Sequence, residues 1–345
     1  MKKLHPSRIP GHGGPLWAVL MAVTMLFGCP TSSSLSNETS AEVVVVPDSV
    51  TRLDSITWPE SKADALEFAD AVEESMRKTG GRPVLVNDDS IWMVVLETKS
   101  DLDVVRRVPS SGIGRGGETF TRAASRVDQE DQVDVVINGM TYSLDSNLHR
   151  QGSKRSTHAA AHGQALQSGE IVGGQQLRPT TSRFHFIQRS DGGGRDASDW
   201  VIESGNHDAG TGLSGAMAIL YNGKKIGHPG GIANSDTDKL LRLPKGAGMP
   251  YVGIDESRQM IWVVVKNWGP SKKAERSKVE DVRQVFDWMG MKDAIALDGG
   301  DSVCLAIDGV VLVRPSDYKD RSIPFGLRFS WHPSREDTRM PAPQL

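Results

Sequence analysis

The first apolar block along the chain is residues 16–27, twelve positions of which only Thr24 is not apolar. A helix crossing hydrocarbon needs about 20 residues, so this block is too short to span a bilayer and has the length of a signal-peptide core. Residues 61–78 then place Leu66, Val72 and Met76 on a helical stripe, with Ser61 positioned to cap the start and Gly80-Gly81 to stop the end. Strand-like runs follow at 84–86 and 91–96, flanking the turn Asn87-Asp88-Asp89, and at 135–137, 217–221, 251–254 and 260–266. The run at 217–221 enters Asn222-Gly223, a strong short hairpin signal. Residues 279–289 carry Val279, Val282, Val285, Phe286 and Met289 on one side, with Gly290 past the end, and predict an amphipathic helix. Between the runs, residues 143–213 are polar and rich in Gly, Ser, His and Arg; only 184–187 reads as a strand, which predicts long loops or an insertion. The expected class is α+β, a mixed, strand-rich sheet with a few flanking helices in a single domain.

Composition narrows the function. The chain has 345 residues, 38% of them hydrophobic, enough for a sizeable core. With 40 Lys and Arg against 43 Asp and Glu its formal charge is -3, which names no nucleic-acid partner. Two cysteines exclude a disulfide-stapled scaffold or a Cys-based zinc scaffold. Lys2, Lys3 and Arg8 precede the apolar block, and the block ends in Leu26-Phe27-Gly28-Cys29, which resembles the bacterial lipobox. That resemblance implies that Cys29 is lipidated and becomes the first residue of an exported, membrane-anchored protein of the cell envelope; the alternative is an ordinary signal peptide ending near a cysteine. The expected organisation is a signal peptide over 1–28, the lipidated cysteine and a flexible tether over 29–42, and one domain over 43–345 with its core at about 90–330.

Several motifs offer chemistry. Gly112-Ile113-Gly114-Arg115-Gly116-Gly117 matches a dinucleotide-binding fingerprint, but it follows Val108-Pro109-Ser110-Ser111 instead of a strand end, and no acidic residue closes the strand at 135–137. A flexible Gly-rich loop is the better account. His158 and His162 have i, i+4 spacing without the glutamate of a metalloprotease helix. Gly212-Leu213-Ser214-Gly215-Ala216 misses the nucleophile-elbow pattern at its last position, and Gly300-Asp301-Ser302 comes too late in the chain for a hydrolase nucleophile of the Gly-Asp-Ser kind. No metal or other cofactor is expected. The most informative segment is 294–307, where an apolar run meets Asp298-Gly299-Gly300-Asp301-Ser302 and a second apolar run then leads to the turn Asp308-Gly309. Glycines there let a ligand approach the backbone beside two carboxylates, although a plain Asp-Gly-Gly turn between strands remains the alternative. Cys304, within the second run, reads as a buried structural thiol.

With these motifs the chain resembles the phosphodiester glycosidase family over about residues 90–330. Leu297-Asp298-Gly299-Gly300-Asp301-Ser302 stands where the family has Leu-Asp-Gly-Gly-Gly-Ser, and the strand 135–137 with Asn138-Gly139-Met140-Thr141-Tyr142 stands where the family has a strand ending in Asn-Gly-Gly-Phe-Phe. A segment at 119–127, the Leu220-Tyr221-Asn222-Gly223-Lys224 hairpin and Val252-Gly253-Ile254-Asp255 follow the family's order. Where the family usually has an Arg, this chain has Met249-Pro250-Tyr251, with Arg242 and Lys245 a few residues upstream. The resemblance implies a hydrolase that takes a sugar from a phosphodiester or a related glycoside; the alternative is an inactive carbohydrate-binding or structural lipoprotein of the same fold. The residue types then suggest Asp298, Asp301 and Asn138 as catalytic, and Gly299, Gly300, Ser302, Gly139, Tyr142 and Arg242 as substrate-binding. Asp298 and Asn138 each stand where an apolar strand meets a glycine, so they would share one edge if those strands are neighbours in a sheet.

Overall fold

The computed structural model describes residues 46–54, 57–88, 91–106, 132–140, 142–144, 159–161, 163–174, 184–189, 197–205, 207–215, 217–226, 248–266, 279–300, 303–313 and 325–333. The expected signal peptide, Cys29, the tether, the glycine run 112–117, the segment 119–127, His158, His162, Arg242, Lys245, Asp301 and Ser302 lie outside the described residues. The chain divides into two units, 1–43 and 44–345, and all described residues belong to the second.

The unbroken apolar runs of the sequence become the strands of one large sheet. Its eight strands are, from edge to edge, Thr51–Leu53, Val84–Asp88, Ile91–Glu97, Met260–Lys266, Met249–Asp255, Asp293–Ala296, Met217–Tyr221 and Lys224–Lys225. The two longest apolar runs are strands buried on both faces. Trp92, Val94 and Leu96 face one core while Ile91, Met93 and Val95 face the other. Ile261, Val263 and Val265 likewise oppose Met260, Trp262 and Val264. One face carries the helices Lys62–Lys78 and Val279–Trp288, which contribute Phe68, Val72, Met76, Val282, Val285 and Phe286 to the core on that side.

The first helix is capped as its sequence demands, since the Ser61 hydroxyl accepts a bond from the Asp64 amide at 3.2 Å, and Gly80 and Gly81 take φ of +70° and +83° beyond its end. Its buried face keeps two of the three expected positions. Val72 and Met76 of that stripe are buried as expected, but Leu66 is 37% exposed, and Ala65, Phe68 and Ala69 complete the buried face in its place. The Asn222-Gly223 turn has positive φ at both positions, +50° and +69°, as the tightest hairpins require.

The opposite face of the large sheet meets two five-stranded antiparallel sheets. One holds Val310–Val313, Leu305–Ile307, Val133–Asn138, Phe325–Trp331 and Asp101–Arg106 in that order. The other holds Trp200–Ser204, Phe184–Gln188, Thr211–Ser214, Gln164–Gln167 and Glu170–Gly174. This last sheet corrects the reading of 143–213 as loop. Its strands are four or five residues long; one face joins the main core through Ala165, Phe184, Phe186, Trp200, Ile202 and Leu213, while Leu166 and Ile187 are the buried apolar positions of the other. With so few apolar positions per strand, the glycines and polar outer face dominate the local composition. Phe186, Trp200 and Phe329 join the two smaller sheets with ring centroids 5.4–6.2 Å apart, and the Trp200 indole donates to the Thr98 carbonyl at 2.8 Å.

The three sheets exchange chain segments at one end of the large sheet. Gly215 lies between Thr211–Ser214 and Met217–Tyr221, and residues 297–304 connect Asp293–Ala296 to Leu305–Ile307. Gly326 brings two backbones together inside the smaller sheet. A Cβ there would lie 2.4 Å from the Ile137 carbonyl oxygen. Gly326→Ala is therefore expected to lower unfolding stability by about 1–3 kcal/mol or more in a urea titration, as overpacking does, and an unchanged midpoint would count against this packing.

Candidate active site

Asp298 begins the crossing between sheets, and its position is set by backbone contacts on both sides. The Leu297 amide donates to the Pro250 carbonyl at 2.9 Å, the Asp298 amide to the Gly139 carbonyl at 2.7 Å, and the Gly300 amide to the Gly248 carbonyl at 2.8 Å. Two of these acceptors lie at the start of Met249–Asp255 and one just past the end of Val133–Asn138. The Asn138 carboxamide completes the clamp: its Nδ2 donates to the Asp298 carbonyl at 2.7 Å, and its Oδ1 accepts the Cys304 amide at 2.9 Å. One side chain thus bridges both ends of the loop.

Asp298 and Asn138 do meet, although their strands belong to different sheets and are not neighbours in one. Asn138 is 1% exposed and its donor and acceptor both bind the loop, so the structure uses it as a strut. Asp298, Gly299 and Gly300 are half-buried. The glycines divide into two kinds. A Cβ on Gly139 would sit 2.5 Å from Leu213 Cδ2, and one on Gly299 would sit 2.8 Å from the Gly248 carbonyl and from Met249 Cε. At both positions protein fills the space expected for a ligand. Gly300, with φ of +81°, has no atom of the described residues within 4 Å of the point where a Cβ would stand, so among them its side is open. Tyr142 lies in the strand Tyr142–Leu144, paired with Ala159–Ala161.

Cys304 is fully buried against Val136 and Ala306 and forms no disulfide. Burial pushes its thiol well above the usual range, and the Asp298 charge adds to that push, so the sulfur stays protonated beside the carboxylate. Ser214, in the near-miss elbow, lies 2.6 Å from His185 Nε2, but both are fully buried and the Ser214 hydroxyl also accepts the Gln164 amide at 2.8 Å, so the pair stays inside its sheet.

Residues missed by the sequence reading lie at the same end of the large sheet. Lys266 pairs with Met249 and with Ile91 and is only 3% exposed. Burial lowers its ammonium below the ordinary lysine range, with the Asp281 charge acting in the opposite direction. The buried Tyr251 hydroxyl is held well above its ordinary range, chiefly by desolvation and further by Asp281. A lysine closing an apolar run resembles a solvated strand end, so the sequence alone carried no signal for it. Among the described residues no group of three or more His, Cys, Asp or Glu is arranged to hold a metal ion. A half-exposed carboxylate on a rigidly held loop suits proton transfer or charge stabilisation.

The family model of the phosphodiester glycosidases matches residues 131–330. Among solved structures, the catalytic domain of zebrafish N-acetylglucosamine-1-phosphodiester alpha-N-acetylglucosaminidase, auto-inhibited by its pro-peptide, is 15% identical, covers 71% of this chain and 80% of its own, and gives a TM-score of 0.46. A hypothetical protein from Synechocystis is 12% identical over 72% of this chain and 61% of its own, with a TM-score of 0.40. No curated protein matches the chain.

Removing the Asn138 amide leaves the buried Cys304 N–H and the Asp298 carbonyl without their partner. Asn138→Ala is expected to cost about 2–6 kcal/mol in chemical denaturation, about 1–3 kcal/mol for each group left unsatisfied. In the same preparation Cys304, mapped by peptide analysis after iodoacetamide, should stay unmodified in the native wild-type protein and react once it is unfolded. Rapid native labelling at Cys304 would contradict its burial.

Proposed function

The chain belongs to the phosphodiester glycosidase family, and from that premise we propose that it is an exported, lipid-anchored hydrolase of the cell envelope that releases a sugar from a phosphodiester or a related glycoside, with Asp298 as its principal catalytic group. The observation that carries the reading is the clamp on Asp298: its amide and its carbonyl are both bound by the Asn138-Gly139 strand end, which presents one half-exposed carboxylate on a loop that cannot drift. Fixing a reacting group in this way supplies part of the entropic cost of reaching the transition state.

The chemistry follows from the leaving group. A phosphate monoester departs readily, so the bond to the sugar needs little acid assistance, and the demand falls on a carboxylate that activates water or stabilises the oxocarbenium-like centre. Asp298 fills that role. Asp301 and Ser302, directly following in sequence, add a second carboxylate and a hydroxyl for the sugar or its phosphate oxygens. The apolar block at 16–27 and the Leu26-Phe27-Gly28-Cys29 ending support export and lipidation.

The test of activity is incubation with a panel of sugar phosphodiesters and neutral glycosides while both products are followed. Asp298→Asn keeps the side-chain volume and removes the charge, and turnover is expected to fall at least ~100-fold with little change in thermal midpoint. A destabilised but normally active variant would refute the assignment, and a wild-type protein that binds sugars without cleaving any would establish the carbohydrate-binding alternative. For the anchor, Cys29→Ser is expected to abolish lipid labelling and partition into detergent; equal retention of both forms overturns it.

A further inference from the structure

We propose that Leu213 is a positioning residue for Asp298: its side chain props Gly139, whose carbonyl holds the Asp298 amide. This rests on the reading of Asp298 as the catalytic group, and it gives the second small sheet a part in the reaction.

The contact runs between sheets. Leu213 stands in the central strand of its own sheet, pairing with Phe186 on one side and Ala165 on the other, and it is fully buried. Both of its methyl carbons reach the Asn138-Gly139 strand end, 2.5 Å and 3.3 Å from the point where a Gly139 Cβ would stand. An isobutyl group thus covers the Gly139 Cα, while the Gly139 carbonyl accepts the Asp298 amide at 2.7 Å. Within its own sheet Gly139 donates to the Phe325 carbonyl at 3.0 Å. Leu213 packs on it from a different sheet.

The same strand also touches the root of the Asp298 loop. Gly215, two residues on, has Ile295 Cδ1 2.5 Å and the Ala296 carbonyl oxygen 2.9 Å from its own Cβ point, and Met217 then pairs with Ala296. Residues 213–217 therefore run from the acceptor of the Asp298 amide to the strand out of which Asp298 emerges. Their line is fixed where the Gly215 amide donates to the Phe184 carbonyl at 3.0 Å. A close-packed interior relaxes toward the space left by a lost side chain. Truncating Leu213 frees Gly139 to move that way, and a reacting group displaced by about 1 Å loses rate steeply.

The competing account is that Leu213 is ordinary core, whose loss lowers stability without disturbing the loop. Leu166 supplies the control, because it is equally buried and pairs with Gly212, one residue away, on the opposite face of the sheet. Deuterium exchange at the Asp298 amide, read residue by residue by fragmentation mass spectrometry of the full-length protein, requires no turnover. Leu213→Ala is expected to speed it at least ~10-fold over Leu166→Ala, and Leu213→Met, which keeps the volume, to stay within about threefold of wild type. Leu213→Val serves the same comparison if the Ala variant does not fold. In turnover of a sugar phosphodiester, Leu213→Ala should lower kcat at least ~10-fold with KM within about threefold of wild type, and Leu166→Ala should change neither. Gly139 has an ordinary φ, so a methyl there meets Leu213 and no backbone strain. The double variant Gly139→Ala/Leu213→Ala is accordingly expected to exchange at least ~threefold more slowly at Asp298 than Gly139→Ala alone. Equal exchange in Leu213→Ala and Leu166→Ala overturns the proposal, as does a double variant no better than Gly139→Ala, or an unchanged kcat for Leu213→Ala in an active enzyme. Leu213-dependent protection in a protein that cleaves no glycoside would uphold the prop while removing the hydrolase reading.

Discussion

The Asn138 carboxamide is the contact on which the arrangement around Asp298 depends. It reaches from the end of one sheet to a loop that has just left another, and binds that loop at residues 298 and 304. An unsatisfied buried amide and carbonyl would cost about 1–3 kcal/mol each, so the loop has a strong reason to adopt one conformation. Asparagine suits the place because it offers a donor and an acceptor on one short planar group. An aspartate would set a carboxylate against the Asp298 carbonyl, and a leucine would satisfy neither partner. The glycines around it serve the same joint, since the Gly248 backbone stands where a side chain on Gly299 would begin and the Leu213 side chain where one on Gly139 would. The close backbone crossing and the buried amide each require the other.

The strand that carries Asn138 is itself anchored by charge. Asp134, two turns of the pleat earlier, is buried on the outer face of its sheet, accepts the Ser330 hydroxyl at 2.7 Å and lies 3.5 Å from the Arg328 guanidinium, with Gln132 also bonded to it. Its amide donates to Asp308 at 2.7 Å, and the Asp308 amide returns a bond to the Asp134 carbonyl at 2.9 Å. Burial raises the Asp308 carboxyl above the ordinary range, while the bonds from Ser49 and from the Asp134 amide pull it down. With a raised pKa in the fold, Asp308 favours the folded state at acidic pH, and that contribution fades as the pH rises through the raised value. The hairpin at 308–309 and the chain near residue 49 thus brace the same strand that positions the strut.

Sequence and structure agree where physics is local. The Ser61 cap, the Asn222-Gly223 turn and the helix before Gly290 each follow from a few adjacent residues, and each stands where the pattern puts it. The doubly buried strands were legible because nothing polar interrupts them. The second small sheet was not, since a four-residue strand such as Thr211–Ser214 commits only Leu213 to the core. At the site, the conjunction of Asp298 with Asn138 could be suspected from two strand ends beside glycines, but the strut role could not: a carboxamide that bridges 160 residues has no local signature. Lys266 was invisible for the same reason, as its burial is created by strands that are distant in sequence.

That distance also fixes when the site can come into being. Residue 138 must wait for residues 298–304, and the segments between them supply another five-stranded sheet and much of the large one. Long-range antiparallel pairing is slow to nucleate because loop closure precedes any reward. A chain interrupted anywhere before residue 304 has strands and an apolar core in part, yet holds no clamped loop. During refolding, strand structure would therefore precede the clamped loop, and the order of events makes that loop a signature of the completed fold.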